Sequence, residues 1–267
     1  MFLTHLAKDR DVSASTQNNA FQSLMFFYKD VLHKPLKDVD ALRATRPDRI
    51  RYSPTASEVG QLLPAVKNVG GYPVNLVVRL LYGCGLRVNE PLGLRIKDVD
   101  IANSRLFILG AKGGKDRVVR LPCSLATEIQ QQMDYARVIW KRDQLARIPL
   151  ELPHQLAKKY PSYQFSFQWE WLFPGHFPCR HPRTGETVRW HMLACNVQRA
   201  VKAAGDNLGL TITPHCLRHS YASECINRGT NIKALQEAMG HKDSDTTMKY
   251  VHADALSVKS PLEPIAA

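Results

Sequence analysis

The spacing of apolar side chains along the chain predicts mainly helices. Near the N-terminus, apolar residues recur at helical spacing up to about Leu32, and Ser13 or Ser15 is placed to cap that helix. Thr55-x-x-Glu58 has the pattern of a capping box, in which each side chain accepts a hydrogen bond from the backbone N–H of the other residue. This box predicts a helix that continues to about residue 65. Further helices are expected at 72–82, 123–146, 194–204, 217–228, 232–239 and near 246–251.

A short stretch near the middle of the chain predicts a small sheet. Glycines at 110, 113 and 114 suit a hairpin turn, because glycine adopts positive φ without strain, and Lys112 would lie at the tip of that hairpin. Strands are expected at 96–100, 106–109 and 117–121. The fold class predicted is therefore α+β and mostly helical, with one small antiparallel sheet.

The residues before 55 divide into a helical segment and a basic linker. The two short helices expected in 1–42 carry more aromatic surface than they can bury alone, so the chain is expected to begin inside a domain. The segment 43–54 is a basic linker. It is either a solvated connection or a strap that lies along a phosphate backbone. Its arginines are Arg43, Arg46, Arg49 and Arg51.

The charge balance favours a polyanionic partner. The 267 residues carry a formal net charge of +12, with a pI near 9.5, and the basic residues are spread along the chain. This distribution is typical of a surface that binds nucleic acid. No apolar run is long enough for a membrane span and no export signal is visible, so a cytoplasmic location is expected.

The cysteines are scattered and are expected to be free thiols in that compartment. Cys179, His181, His191 and Cys195 form the one group that zinc could bind, but the short first spacing fits the usual zinc patterns poorly. The alternative is a polar loop with incidental thiols. No cofactor is predicted.

Five residues suit phosphoryl transfer through a covalent tyrosine. Arg87 follows the helix break at Gly83 to Gly85, and Glu90 is placed three residues later to hold its guanidinium. Arginines bind phosphate oxygens in two-point fashion, histidines move protons near neutral pH, and a tyrosine hydroxyl can act as nucleophile. Each residue alone would more often be structural, so the ordered set carries the prediction. The set is Arg87, His215, Arg218, His241 and Tyr250.

The motifs around these residues resemble those of the tyrosine recombinase (phage integrase) family, in family order over about residues 55–255. The resemblance implies a catalytic domain at 55–267, preceded in 1–42 by part of a helical, SAM-like core-binding domain whose first half is missing. The motifs are Gly85-Leu86-Arg87-x-x-Glu90-x-Leu92-x-Leu94, the hairpin around Lys112, His215-x-Leu217-Arg218-His219, Gly240-His241, and Thr246-Thr247 with Tyr250.

The resemblance also implies a mechanism. Tyr250 attacks a DNA phosphodiester, giving a 3′-phosphotyrosine and a free 5′-hydroxyl, while the two arginines bind the non-bridging oxygens. Lys112 gives a proton to the leaving oxygen, His215 acts as base toward the tyrosine, and His241 donates a hydrogen bond to the phosphate. The arginines supply the charge that metal ions supply in other phosphoryl transfers, so the family needs no metal and no ATP.

The segment 152–191 resembles the insertion that distinguishes integron integrases, which act on folded single-stranded sites with protruding bases. Trp169, Pro182, Trp190 and His191 are the candidates for a platform that holds such bases. The alternative is that these side chains form a small satellite core.

The resemblance implies DNA as partner, both as folded hairpin sites and as duplex attachment sites, with insertion or excision of gene cassettes as the outcome. Family members assemble as tetramers through exchanged C-terminal segments, and Leu256, Val258 and Leu262 would anchor such a tail here. Two alternatives stay open. One is a phage- or Xer-type recombinase acting on duplex sites, and the other is a truncated DNA-binding remnant with little recombination activity.

Overall fold

The computed structural model describes residues 2–36, 52–110, 116–153 and 155–240. The chain divides into two compact units, Met1–Arg51 and Tyr52–Ala267. Several sequence predictions concern positions outside the described residues, among them the helix near 246–251 and the C-terminal tail. The predicted site residues outside the described ranges are Arg43, Arg46, Arg49, Arg51, Lys112, His241 and Tyr250.

The first unit contains two helices, α1 (Phe2–Lys8) and α2 (Ala14–Phe26), and α2 continues into a π-helical turn at Phe27–Val31. Ser13 is the cap of α2, because its hydroxyl accepts the backbone N–H of Thr16 at 3.3 Å. Within the described part of this unit, no helical side chain is fully buried. The helices leave Phe2, Phe26 and Phe27 exposed and bury Phe21 and Tyr28 only in part, so they do not bury their aromatic surface alone, as the sequence predicts.

The core of the second unit is built around α4 (Val74–Cys84), whose aliphatic side chains are buried. It packs against α3 (Ala56–Ala65), α8 (Ala194–Asn207) and α9 (Pro214–Asn227). Each large aliphatic side chain buried in this way contributes about 1.5–3 kcal/mol. The buried side chains of α4 are Val74, Leu76, Val77, Val78, Leu80, Leu81 and Cys84.

The structure tests the predicted starts of two helices in this core, α3 and α9. The capping box that opens α3 is confirmed, with Thr55 N–H donating to Glu58 Oε2 at 2.7 Å and Glu58 N–H donating to Thr55 Oγ1 at 3.2 Å. The helix expected from about 217 begins three residues earlier, at Pro214, so that His215 and Arg218 lie near its start. Proline suits the first helical position, because a backbone N–H at that position would have no acceptor within the helix.

A three-stranded antiparallel sheet lies beside this core, in the order β1 (Val99–Asp100), β2 (Arg105–Ile108), β3 (Arg117–Arg120). The first strand is shorter than predicted. Ile96–Asp98 forms a 3₁₀ turn instead, in which the Asp98 carboxylate accepts the backbone N–H of Arg95 at 2.9 Å. This local bond favours the turn over an extension of β1 along β2.

The remaining elements are α5 (Asn89–Leu92), α6 (Ala126–Leu145), α7 (Leu156–Lys159) and α10 (Ile232–Met239). The sequence predicted only one sheet, but a second exists, formed by β4 (Cys179–Arg180) and β5 (Thr187–Val188). Strands of two residues leave no alternation to read in a sequence. Among the described residues, no helix combines the length and apolar character needed to cross a bilayer.

The segment 152–191, called the insertion below, is hydrogen-bonded to the core and packs against it. Leu172 N–H donates to the Leu94 carbonyl at 2.8 Å, and Ile96 N–H donates to the Glu170 carbonyl at 2.9 Å. Leu172 and Phe173 are buried in the main hydrophobic core. The insertion is therefore paired to backbone that begins only four residues after Glu90.

Candidate active site

The site begins at the turn that ends α4. Gly85 adopts φ +62°, and a Cβ there would overlap the ring of Tyr221, so only glycine fits this position without strain. The close approach of α9 leaves the Gly85 carbonyl within reach of Arg218, whose Nη1 donates to it. The same turn delivers Arg87 two residues later.

Arg87 is held by Glu90, as the sequence predicts. Its Nη1 donates to Glu90 Oε1 at 2.9 Å, and its backbone N–H donates to Glu90 Oε2 at 2.8 Å. A third bond runs from Arg87 Nη2 to the Gly240 carbonyl at 3.3 Å. The guanidinium is fixed in orientation while its side chain keeps 28% of its surface exposed.

Glu90 is shared with a second arginine, Arg117. Nη1 and Nη2 of Arg117 donate to the two carboxylate oxygens of Glu90 at 3.0 and 2.6 Å. Burial raises the pKa of Glu90, but the hydrogen bonds from Arg117 and Arg87 outweigh it and hold the pKa below its ordinary value. Glu90 therefore stays ionised and keeps orienting the arginines.

Arg218 is almost completely buried, with 2% of its surface exposed. Besides its bond to Gly85, its Nη2 donates to the Met239 carbonyl, and its Nη1 lies 4.0 Å from Glu90 Oε2. His215 lies one helical turn before Arg218 on α9 and is exposed, with its ring 4.4 Å from that of His219. The spacing of three residues thus brings a buried cation and an accessible imidazole to one end of the helix.

The C-terminal end of α10 is where the three arginines meet. Consecutive carbonyls at this end accept from different arginines: Ala238 from Arg117 Nε at 2.7 Å, Met239 from Arg218, and Gly240 from Arg87. The last carbonyls of a helix lack intrahelical partners and carry partial negative charge, so guanidinium groups stabilise them. We call Arg87, Arg117 and Arg218 the arginine cluster, and Gly240, the last residue described at this end of the chain, is bonded to it.

A groove of about 470 Å³ opens beside this cluster and is lined by Arg87, Glu90, Asn89 and His215. The groove thus presents the guanidinium of Arg87 and the imidazole of His215, which suit a phosphodiester, and the buried Arg218 lies behind it against Gly85 and Glu90. Of the predicted catalytic residues, the structure brings Arg87, His215 and Arg218 together.

Sequence reasoning placed Arg117 at the end of the hairpin motif and at the start of a strand, but missed its contacts with Glu90 and Ala238. The available signal was a charged residue that opens β3 directly after the predicted hairpin turn. Its partners are too distant in sequence for any local pattern to indicate them.

The four aromatic and proline candidates of the insertion fall into two groups. Trp169 stacks on Tyr163, with ring centroids 5.4 Å apart and planes 22° apart, and Tyr163 stacks on Tyr160 at 5.0 Å and 22°. We call these three residues the ring ladder. Lys97 Nζ lies 4.5 Å from the Trp169 ring centre, and Lys159 Nζ lies 5.2 Å from that of Tyr160.

The second group surrounds Trp190. Its ring lies 5.6 Å from that of His181 and 5.9 Å from that of His191, and His191 in turn contacts the buried Trp171 at 4.8 Å. Pro182 is exposed in the turn between β4 and β5. Pro182 thus lies at the surface, whereas His191 packs against a buried residue.

Arg95 lies between the two groups. Its guanidinium carbon is 3.2 Å from the Trp171 ring centre and 6.0 Å from that of Trp169, and Nη1 donates to the Trp169 carbonyl at 2.8 Å. Nη2 donates to the Glu151 carbonyl at 2.8 Å. Burial lowers the pKa of Arg95 to about 10, yet the group stays charged near neutral pH.

Glu170, the residue between the two tryptophans, is fully buried. Oε1 accepts the backbone N–H of Trp171 at 2.9 Å. Burial raises the pKa of Glu170 to about 7, and the nearby Asp143 carboxylate adds to the shift, while Arg189 and Arg95 oppose it.

The cysteine and histidine group considered for zinc is not gathered by the fold. Cys179 and Cys195 are exposed free thiols. His181 Nδ1 accepts the backbone N–H groups of Arg183 and Thr184 at 3.2 and 3.1 Å, and His191 Nδ1 lies 2.7 Å from the Met192 carbonyl. Across the described ranges, no three His, Cys, Asp or Glu side chains meet as metal ligands.

Two family models match the chain. The model described as "Phage integrase family" matches residues 54–256, and that described as "Phage integrase, N-terminal SAM-like domain" matches residues 1–38. An "Integrase/recombinase" of Escherichia coli is 38% identical over an alignment that covers 99% of this chain and 79% of the relative. "Tyrosine recombinase XerA" of Thermococcus kodakarensis is 30% identical, over 93% of this chain and 74% of the relative.

Solved structures show the same fold. The crystal structure of XerA recombinase aligns with a TM-score of 0.54 at 22% identity, over 94% of this chain and 76% of the other. XerH site-specific recombinase bound to difH substrate, in a pre-cleavage complex, aligns with a TM-score of 0.61 at 19% identity, over 96% and 66%.

Proposed function

This chain belongs to the phage integrase family of tyrosine recombinases, enzymes that cleave and rejoin DNA strands, and on that premise we propose that it is a site-specific recombinase of the integron-integrase type. Its substrates are folded single-stranded hairpin sites and duplex attachment sites, and its products are inserted or excised gene cassettes. The observation that carries the proposal is the ring ladder of the insertion.

The proposed chemistry uses the arginine cluster and the groove beside it. Tyr250 attacks the phosphorus and its proton passes to His215, while the bond from phosphorus to the 5′-oxygen breaks and Lys112 protonates that oxygen. Arg87 and Arg218 bind the non-bridging oxygens, where charge grows in the transition state. His241 donates a hydrogen bond to the same phosphate. Rejoining reverses these steps with the 5′-hydroxyl of another strand.

The position of α10 supports this assignment. The carbonyls of Ala238, Met239 and Gly240 are bonded to the arginine cluster, and in sequence His241 follows Gly240 directly. Nine residues separate the two side chains in sequence, which is enough for Tyr250 to return to the groove. DNA as partner is supported by the net charge of +12 and by the DNA complex of XerH.

The ring ladder supports a folded single strand as substrate. Bases that protrude from a hairpin have two free faces and stack on aromatic rings, and each such contact is worth about 1–3 kcal/mol. The ammonium groups of Lys97 and Lys159 lie over the two ends of the ladder, where they can pair with the backbone phosphates of stacked nucleotides. Trp190, His191 and Pro182 would hold a second protruding base.

The substrate is tested with Trp169→Ala. Binding is measured to a hairpin with protruding bases and to a perfectly paired duplex of the same sequence, by fluorescence anisotropy at fixed salt. The variant is expected to bind the hairpin about tenfold to a hundredfold more weakly, and the duplex about as well as the wild type. Phe177→Ala is the matched control, since Phe177 is an exposed aromatic residue of the insertion outside both ring groups. Equal losses on hairpin and duplex would refute the integron assignment.

Xer-type action on duplex sites is the second candidate, because XerA relatives match at 30% identity. Nicked suicide substrates distinguish the two candidates. One set consists of hairpins and the other of duplexes, and the stem sequences of both are randomised. An integron-type enzyme forms a covalent adduct with hairpins that carry protruding bases, and the adduct disappears in Tyr250→Phe. Adducts confined to duplexes favour the Xer-type candidate, and tight binding without any adduct favours a DNA-binding remnant.

Domain organisation and assembly are part of the proposal. Residues 1–42 would supply part of the core-binding domain, and the linker arginines Arg43, Arg46, Arg49 and Arg51 would follow the phosphate backbone. The active assembly would be a tetramer on two DNA sites, held together through the tail after Tyr250. Truncation after residue 254 should leave cleavage of a single nicked site intact and abolish the tetramer, as measured by sedimentation with DNA.

A further inference from the structure

Arg117 is held by several bonds beside the groove, and the proposed chemistry gives it no role. It projects from β3 and keeps only 8% of its side-chain surface exposed. Two of its nitrogens are bonded to the two oxygens of Glu90, and Nε is bonded to the Ala238 carbonyl. The backbone of Gly240 lies against the same side chain, since a Cβ built there would be 3.3 Å from Arg117 Cδ.

We propose that Arg117 is a positioning residue for DNA cleavage. It fixes Glu90, through which it orients Arg87, and it anchors the end of α10, from which the tyrosine segment departs. The inference rests on the proposed function, since it takes Arg87 and Arg218 as the groups that bind the reacting phosphate.

The contacts of Glu90 explain why its orientation matters. Its Oε2 lies 2.6 Å from Arg117 Nη2 and 4.0 Å from Arg218 Nη1. Without Arg117, the carboxylate would turn toward Arg218 and form a closer ion pair with it. A carboxylate paired with Arg218 competes with the phosphate for that guanidinium and repels the negative charge that grows in the transition state.

Lysine cannot replace Arg117. The contacts require three donors in the fixed plane of a guanidinium, two directed at the carboxylate oxygens and one at the helix carbonyl. An ammonium group supplies a point charge that can satisfy one of these partners at the reach of Nζ. The positive charge survives in Arg117→Lys but the orientation of Glu90 does not.

The test compares Arg117→Ala and Arg117→Lys with the control Arg120→Ala, which removes an exposed arginine from the same strand. The full-length chain is used with the nicked substrate that the wild type captures most efficiently from the randomised set. Single-turnover adduct formation and DNA affinity are measured separately, and circular dichroism follows folding. Both Arg117 variants are expected to form adduct about 100-fold more slowly, with DNA affinity close to that of the wild type. Arg120→Ala should cleave at the wild-type rate.

Chemical rescue distinguishes positioning from general destabilisation. Guanidinium ion at millimolar concentration should occupy the space left in Arg117→Ala and restore at least part of the cleavage rate, with no effect on Arg120→Ala. A variant that loses DNA affinity and cleavage in parallel, or a folded Arg117→Ala without rescue, overturns the inference. If Arg117→Ala does not fold, a wild-type cleavage rate in Arg117→Lys is sufficient to overturn the inference.

Arg87→Lys separates this inference from the proposed function. Slow cleavage in Arg87→Lys together with normal cleavage in both Arg117 variants refutes only the role of Arg117. Normal cleavage in Arg87→Lys refutes the proposed active site, and the inference falls with it.

Discussion

Glu170 should make the stability of the folded chain fall as pH rises toward neutrality. The side chain is fully buried, and its pKa is raised from an ordinary 4.5 to about 7. Between these values the folded chain keeps a proton that the unfolded chain has released, so the free energy of unfolding decreases with rising pH. The stabilising contribution is complete below the unfolded pKa and is lost as pH rises through the folded pKa.

The perturbation is Glu170→Gln, which keeps the shape of the side chain and removes its charge at every pH. One pKa unit corresponds to about 1.4 kcal/mol, so a shift from 4.5 to about 7 amounts to roughly 3 kcal/mol. Relative to the wild type, the variant should therefore gain up to about 3 kcal/mol on going from about pH 4 to about pH 8.

Urea unfolding of both proteins at several pH values measures the difference directly. Taking the difference between variant and wild type cancels the titration of all other carboxyl groups. Glu186→Gln serves as the control, since it makes the same substitution at an exposed glutamate of the same insertion. A flat difference for Glu170→Gln between about pH 4 and about pH 8 would refute the reasoning.

Three further substitutions test the structure by equilibrium unfolding. Gly85→Ala should destabilise the chain by several kcal/mol, because it combines a positive φ with overlap of the Tyr221 ring; a loss below about 1 kcal/mol would contradict the geometry of the turn. Thr55→Ala removes one half of the capping box and should cost about 1 kcal/mol, with Thr55→Ser as the conservative control. Arg95→Met leaves the carbonyls that Arg95 binds without their donor and should cost about 3 kcal/mol or more; a neutral result would contradict its assigned contacts.

The features that the sequence predicted are those decided by neighbouring residues. Thr55 and Glu58 meet across one helical turn, as do Arg87 and Glu90, so spacing alone indicates both pairs. Arg117 could not be found in this way. Its partners lie 27 residues before it and 121 residues after it, and only the packed sheet and α10 bring them together.

The aromatic residues of the insertion also show that contacts between residues distant in sequence could not be predicted. Its aromatic residues were visible in the sequence, but their division into the ring ladder and the Trp190 group depends on tertiary contacts with Lys97 and Arg95. Of the two alternatives offered for them, the satellite core describes His191, which packs on the buried Trp171, and the platform stays a prediction. Trp171 is buried, whereas Tyr160 remains exposed.

The backbone pairing of Leu94–Ile96 with Glu170–Leu172 limits how the insertion can be exchanged between relatives. A chimera cut at residues 152 and 191 would remove Leu172 and Phe173 from the main core and would break the two hydrogen bonds that hold the chain just after Glu90. Cuts that leave in place 170–174 and the buried pair Val188 and Arg189, which is bonded to Asp143, would replace only the segments between them and the ends of the insertion. The insertion thus has exchangeable segments joined by buried residues that the host domain must keep, and engineering of substrate choice should exchange each segment separately.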